Sequence, residues 1–169
     1  MASTVLLLNG TPSSGKSTLA RALHEAFPEP AFYMSLDTFR TGVQDRYWST
    51  PDVPRLFNLL LDSWLVALHD IAARGLPVVA EAVMHEGNRA RYDAALPGAD
   101  LFLIGVHCEL SVLRAREAAR TDRLNGGAVV EQEDIDRIHT WAYDLEVHTD
   151  TEATGLSVDR IIAAWSERR

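Results

Sequence analysis

Apolar residues along this chain follow two patterns that alternate. Short continuous runs at Val5 to Asn9, Ala31 to Ser35, Val78 to Ala82, Leu101 to His107 and Leu145 to Thr149 read as five strands. Their hydrophobicity is unbroken rather than every-other-residue, the mark of a parallel sheet covered by helices on both faces. Between the runs, apolar residues recur at three- and four-residue spacing, most clearly in Phe57, Leu60, Leu61, Trp64, Leu68 and Ile71. Asp52 stands where that helix needs an N-cap, Pro54 in its first turn and Gly75 just past its end. Thr18 to Ala26 reads as a helix after the first strand, and another starts near Glu109. Ser157, Val158, Ile161, Ile162 and Trp165 give a final amphipathic helix that closes the far side of the sheet. Residues 40–51, without periodicity, and 121–128, with Gly126-Gly127 among polar neighbours, are expected to be mobile loops. The pattern predicts one α/β domain over residues 1–169, a five-stranded parallel sheet with helices on both faces.

Composition narrows the function. With 169 residues, 47% of them hydrophobic, one full core can form without a second domain. A net charge of −8 opposes a polyanionic partner, because nucleic-acid binders rely on basic patches, so a small molecule is the expected partner. No positive region precedes the first apolar run, and no apolar stretch nears the roughly 18 residues that span a bilayer. A cytoplasmic protein with no membrane partner is expected. The single cysteine, Cys108, cannot form an internal disulfide and reads as a small buried residue.

The candidate chemistry starts at the only lysine, Lys16. It falls inside Gly10-Thr11-Pro12-Ser13-Ser14-Gly15-Lys16-Ser17, the pattern G-x-x-x-x-G-K-[ST], between a strand and a helix. Glycines let backbone N–H groups curl around phosphate oxygens, lysine neutralises β/γ charge, and the Ser17 hydroxyl ligates Mg²⁺, which implies a nucleoside triphosphate. Asp37, after the second strand, is the candidate general base at the carboxyl edge of the sheet; the alternative is an N-cap on a helix near Thr38. Glu81, closing the third run, is a candidate to hold Mg²⁺ through water, or else a structural carboxylate. Arg116, Arg120 and Arg123 share one face if the helix from Glu109 continues. They would form a phosphate-clamping lid, the alternative being a solvated face paired with Glu117 and Asp122. Phe39, Tyr47, Trp48 and Phe57 suit a pocket for a partly apolar acceptor, although core packing competes for each, and Trp64 belongs to the core. None of the six histidines has metal-ligand spacing.

Several of these segments together resemble a known family. Leu8-Asn9-Gly10, Ser13-Ser14-Gly15-Lys16-Ser17, Phe27-Pro28-Glu29-Pro30, Asp37, Gly105-Val106-His107-Cys108, Arg116-Glu117 with Arg120, Asp122 and Arg123, and Tyr143-Asp144 with Glu146-Val147 are similar to the chloramphenicol phosphotransferase family across nearly the whole chain. The resemblance implies a fold related to shikimate and nucleoside monophosphate kinases. It also implies transfer of the ATP γ-phosphate to the primary hydroxyl of chloramphenicol, which inactivates the antibiotic. By position it makes Asp37 the base, Gly10 to Thr18 the nucleotide loop, and Arg116, Arg120 and Arg123 the lid arginines. The chain departs from the family at Glu81-Ala82, where a pair of acidic residues is expected, and at Val147-His148-Thr149, where Val-Asp-Thr is expected.

The expected function is therefore an ATP- and Mg²⁺-dependent O-phosphotransferase acting on a small-molecule hydroxyl, with Lys16, Asp37, Arg120 and Arg123 as catalytic candidates. A guanine-specific GTPase would want an N-K-x-D loop, and the only lysine is already at the phosphates. Two rivals stay open: a metabolite kinase of the shikimate or gluconate type, for which Arg40, Arg46 and Arg55 are candidate anion binders, and a non-catalytic nucleotide-binding module.

Overall fold

The structure, a computed structural model, describes residues 4–119 and 131–168. Among these residues lie the strands β1 (Thr4–Asn9), β2 (Phe32–Ser35), β3 (Val78–Ala82), β4 (Asp100–His107) and β5 (Leu145–His148). They form one sheet in the order β2-β3-β1-β4-β5, and every pairing is parallel. The five expected runs thus became strands within one residue of their predicted ends. Their continuous hydrophobicity has the expected cause, because side chains of β1 alternate between two cores. Val5 and Leu7 join one cluster with Trp64, Leu65 and Leu68, while Leu6 and Leu8 join the other with Leu19, Leu23 and Trp165. Each of these leucines is wholly buried, which contributes roughly 1.5–3 kcal/mol apiece.

The helices are α1 (Lys16–Ala26), α2 (Leu36–Arg40), α3 (Val53–Ala73), α4 (Arg89–Ala95), α5 (Leu110–Ala118), α6 (Gln132–Ile138) and α7 (Thr154–Glu167). α1 and α7 supply the cluster on one face of the sheet, and α3 and α4 the cluster on the other. α3 buries Leu61, Trp64, Leu65, Leu68 and Ala72, a stripe at helical spacing, and ends where Gly75 adopts φ 87°. Two readings of this segment need correction. Asp52 occupies the N-cap position without capping; its carboxylate takes a bidentate pair of bonds from Arg55 at 2.8 and 2.7 Å instead. By length and composition α3 would also suffice to cross a membrane, contrary to the sequence expectation, but its buried stripe makes it a core helix. Residues 40–51, read as irregular, contain a short 3-10 turn at Asp45–Ser49.

α6 opens with a capping box, in which Glu131 and Asp134 exchange side-chain and backbone bonds. The described part of α5 ends at Ala118, so the continuation that would align three arginines falls outside the described residues, together with Arg120, Arg123 and Gly126-Gly127.

Candidate active site

The carboxyl end of β1 feeds the loop at Gly10, and local geometry explains the residue choices there. A Cβ on Gly10 would lie 2.6 Å from the Val106 carbonyl oxygen, so only glycine fits against β4. Ser13 and Gly15 take φ values of 61° and 85°, which turns the backbone back on itself before α1 begins at Lys16. Such left-handed steps converge successive N–H groups into an anion-binding concavity at a helix N-terminus. Lys16 is buried, with Nζ 3.4 Å from the Thr11 carbonyl oxygen, so its ammonium sits inside the curve of the loop. The hydroxyl of Ser14 is buried beside Gly10 with no hydrogen-bond partner among the described residues. Pro12 lines the adjoining cavity, and Thr18 is exposed on the first turn of α1.

Ser17 and Glu81 meet directly. Ser17 Oγ donates to Glu81 Oε2 at 2.8 Å, and the Tyr33 hydroxyl donates to Glu81 Oε1 at 2.8 Å. Burial first, then the Glu81 carboxylate, pushes the Tyr33 phenol up to about 12, so it stays a donor at any physiological pH. Because Ser17 gives its proton to Glu81, its oxygen lone pairs can act as a ligand. Among the described residues no cluster of three or more His, Cys, Asp or Glu could hold a metal ion. Mg²⁺ beside a triphosphate needs no such cluster, since it keeps water and phosphate oxygens and takes one or two protein oxygens; Ser17 with Glu81 behind it fits that demand.

A cavity of about 330 Å³ opens beside the loop, lined by Lys16, Ser35, Asp37, Phe57, Glu81, Val83, His85, Asp134 and Ile138 among others. Asp37 lies in the first turn of α2, inside the helix rather than at its N-cap, which is Ser35 and makes no side-chain capping bond. Its exposed carboxylate borders the same space as the Lys16 ammonium, where a carboxylate can receive the proton of an attacking hydroxyl. Of the aromatic candidates only Phe57 lines the cavity. Phe39 packs on the core, while Tyr47 and Trp48 sit in the 3-10 turn under the guanidinium groups of Arg46 and Arg40, at 4.9 and 5.0 Å. Sequence reasoning missed Tyr33, Val83, His85, Asp134 and Ile138. Apart from Tyr33 being in the second strand run, nothing local marks them.

Arg116 stands apart from the cavity. Its guanidinium donates to the Ser14 carbonyl oxygen at 3.3 Å, to Thr149 Oγ1 at 3.0 Å and to the Thr149 carbonyl oxygen at 2.8 Å. Thr149 Oγ1 also donates to the Ser14 carbonyl oxygen, and Ser13 Oγ donates to the buried Glu117. The loop is thus braced from α5 and from the turn after β5.

A parallel sheet in this strand order with such a loop at its carboxyl edge defines a P-loop kinase acting on small molecules. The sequence matches the family described as chloramphenicol phosphotransferase-like protein over residues 3–166. The chain belongs to that family. Solved structures agree on the fold. A sugar kinase from Janibacter sp. HTCC2649 superposes with a TM-score of 0.71 at 15% identity, covering 96% of this chain and 94% of that one. APS kinase of Mycobacterium tuberculosis, in complex with AMPPNP and APS, gives 0.67 at 16% identity, covering 96% and 97%. The tunicamycin resistance protein of Deinococcus radiodurans gives 0.64 at 17% identity, covering 95% and 94%. A search of curated proteins finds no significant match.

Proposed function

We propose that this kinase transfers the γ-phosphate of ATP to a hydroxyl of an uncharged, partly apolar small molecule, with chloramphenicol or a similar antibiotic as the leading acceptor. The observation that carries the reading is the charge of the cavity wall. Among its described residues Lys16 is the only lysine or arginine, set against Asp37, Glu81 and Asp134 and beside apolar Leu36, Phe57, Val83 and Ile138. Lys16 is assigned to the nucleotide, which leaves no lysine or arginine among the described lining residues for a carboxylate-bearing acceptor such as shikimate or gluconate. The three arginines that favoured such acceptors lie elsewhere: Arg40 and Arg46 stack on Trp48 and Tyr47, and Arg55 is paired with Asp52.

In the proposed reaction the loop amides and Lys16 hold the β- and γ-phosphates, and Ser17, with Glu81 behind it, would hold Mg²⁺. The metal would neutralise charge that builds on the bridging oxygens. Asp37 takes the acceptor's hydroxyl proton as the new O–P bond forms; the bond to the β-phosphate oxygen breaks and ADP leaves. Arg120 and Arg123 are proposed to steady the migrating group from the lid, and Arg116 to support the loop's nucleotide-facing shape through Ser14. An ATP-consuming enzyme with one unpaired cysteine is expected in the cytoplasm.

The test is a phosphate-transfer screen of antibiotics, sugar acids and nucleosides read by mass spectrometry. A gain of about 80 Da, one transferred phosphoryl group, on chloramphenicol supports the reading. A gain confined to shikimate or gluconate overturns it. ATP binding without transfer to any acceptor would favour a non-catalytic module.

A further inference from the structure

Asn9 ends β1 and directly precedes the phosphate loop, yet its wholly buried side chain serves other segments. Its Oδ1 accepts from the Met84 N–H at 2.8 Å. Its Nδ2 donates to the Ile138 carbonyl oxygen at 3.0 Å and to the Tyr143 hydroxyl at 2.8 Å, with the Met84 carbonyl oxygen at 3.5 Å. Chemistry sets this orientation of the amide, because a backbone N–H can only donate and a carbonyl can only accept. Met84 lies between Val83 and His85, and all three of Val83, His85 and Ile138 border the cavity. One carboxamide therefore ties two cavity walls, contributed by the loop after β3 and by the end of α6, to the root of the phosphate loop. Tyr143 completes the tie. Its ring occupies the space where a Gly105 side chain would stand, and its hydroxyl also donates to the Ile138 carbonyl oxygen at 3.3 Å.

We propose that Asn9 is a positioning residue for the acceptor rather than for the nucleotide. The proposal rests on reading the cavity as the acceptor site. Removing the carboxamide strands the buried Met84 N–H and weakens the hold on the Ile138 carbonyl. Both segments then shift to recover partners, and the walls part. The phosphate loop is braced independently, through the Ser14 carbonyl held by Arg116 and Thr149, so nucleotide binding is spared. Asn9→Asp separates the two walls: a carboxylate still accepts from Met84 but repels the Ile138 carbonyl.

The test compares wild type with Asn9→Ala and Asn9→Asp in three measurements: ATP affinity by calorimetry, amide hydrogen exchange, and KM for whichever acceptor the screen identifies. In Asn9→Ala the amides of Met84 and of the last turn of α6 lose about tenfold or more in protection, while in Asn9→Asp the loss is confined to α6. Acceptor KM rises about tenfold, and the ATP Kd stays within about twofold. If Asn9→Ala does not fold, Tyr143→Phe keeps the ring over Gly105 and produces a smaller change in the same direction. Parallel loss of ATP and acceptor binding, or unchanged exchange, overturns the proposal. Should the screen yield no acceptor, unchanged exchange or weakened ATP affinity still overturns the proposal. Ile138→Ala trims the wall but leaves Asn9 intact; unchanged acceptor KM there would refute the cavity reading itself and leave Asn9 a purely structural tie.

Discussion

Three imidazoles stack at the carboxyl ends of β4 and β5, and acid should act on the fold through them. The ring of His107 lies 4.0 Å from that of His139 at 25° and 5.1 Å from that of His148 at 24°. Burial first, then the neighbouring imidazoles, lowers His139 from the ordinary 6.5 to about 4. His107 is lowered too, by burial, against the opposing pull of Glu146, whose Oε2 stands 2.8 Å from Nε2, and of Asp150. Tyr143 faces the stack as a neutral phenol 3.0 Å from His139 Nδ1, its own ionisation pushed up to about 12. Between pH 6.5 and 4 the unfolded chain binds a proton at His139 that the fold refuses, so the stability present above 6.5 is lost as pH falls toward 4. About 2.5 units at ~1.36 kcal/mol each gives about 3.4 kcal/mol, and screening of the solvent-exposed part of the ring reduces this to roughly 1.5–2 kcal/mol. Urea unfolding of wild type and His139→Phe over this range isolates the effect, because the variant keeps a ring against His107 but cannot titrate, and the carboxylates cancel in the difference. Wild type should lose roughly 1.5–2 kcal/mol more than the variant between pH 7 and pH 4. Parallel stability curves would refute the reasoning.

Two further outcomes are expected. Asp37→Asn should lower kcat by about 10²–10⁴-fold, the usual yield of a positioned base, and leave the ATP Kd within about twofold; equal loss of both would make Asp37 structural. Gly105→Ala places a Cβ 2.6–2.9 Å from the Tyr143 ring and should cost roughly 1–3 kcal/mol in a thermal melt, with an unchanged melting temperature counting against the packing described for Tyr143.

Much of this protein is legible in its sequence, wherever the cause is local. The strands follow from runs of apolar residues that must be buried on both faces, and the phosphate loop follows from glycines and a lysine whose spacing makes one turn. Ser17 and Glu81, 64 residues apart, could be assigned to one metal site in advance only because β1 leads into the loop before Ser17 and Glu81 stands near the end of β3, at the same edge of the sheet. Tyr47 and Trp48 show the opposite case. An aromatic cluster in sequence suggested a pocket, but a 3-10 turn and arginine stacking hold those rings away from the cavity. Asn9 was visible only as part of a motif, and the histidines only as residues without metal spacing. The sequence by itself determined the class of fold and the place where phosphate binds, because these depend on periodicity and on backbone conformations that few residues allow. Only the tertiary structure decided which walls face the acceptor, what ties them to β1 and how three histidines come to share one stack. Those depend on contacts between segments up to 134 residues apart, which no local pattern encodes.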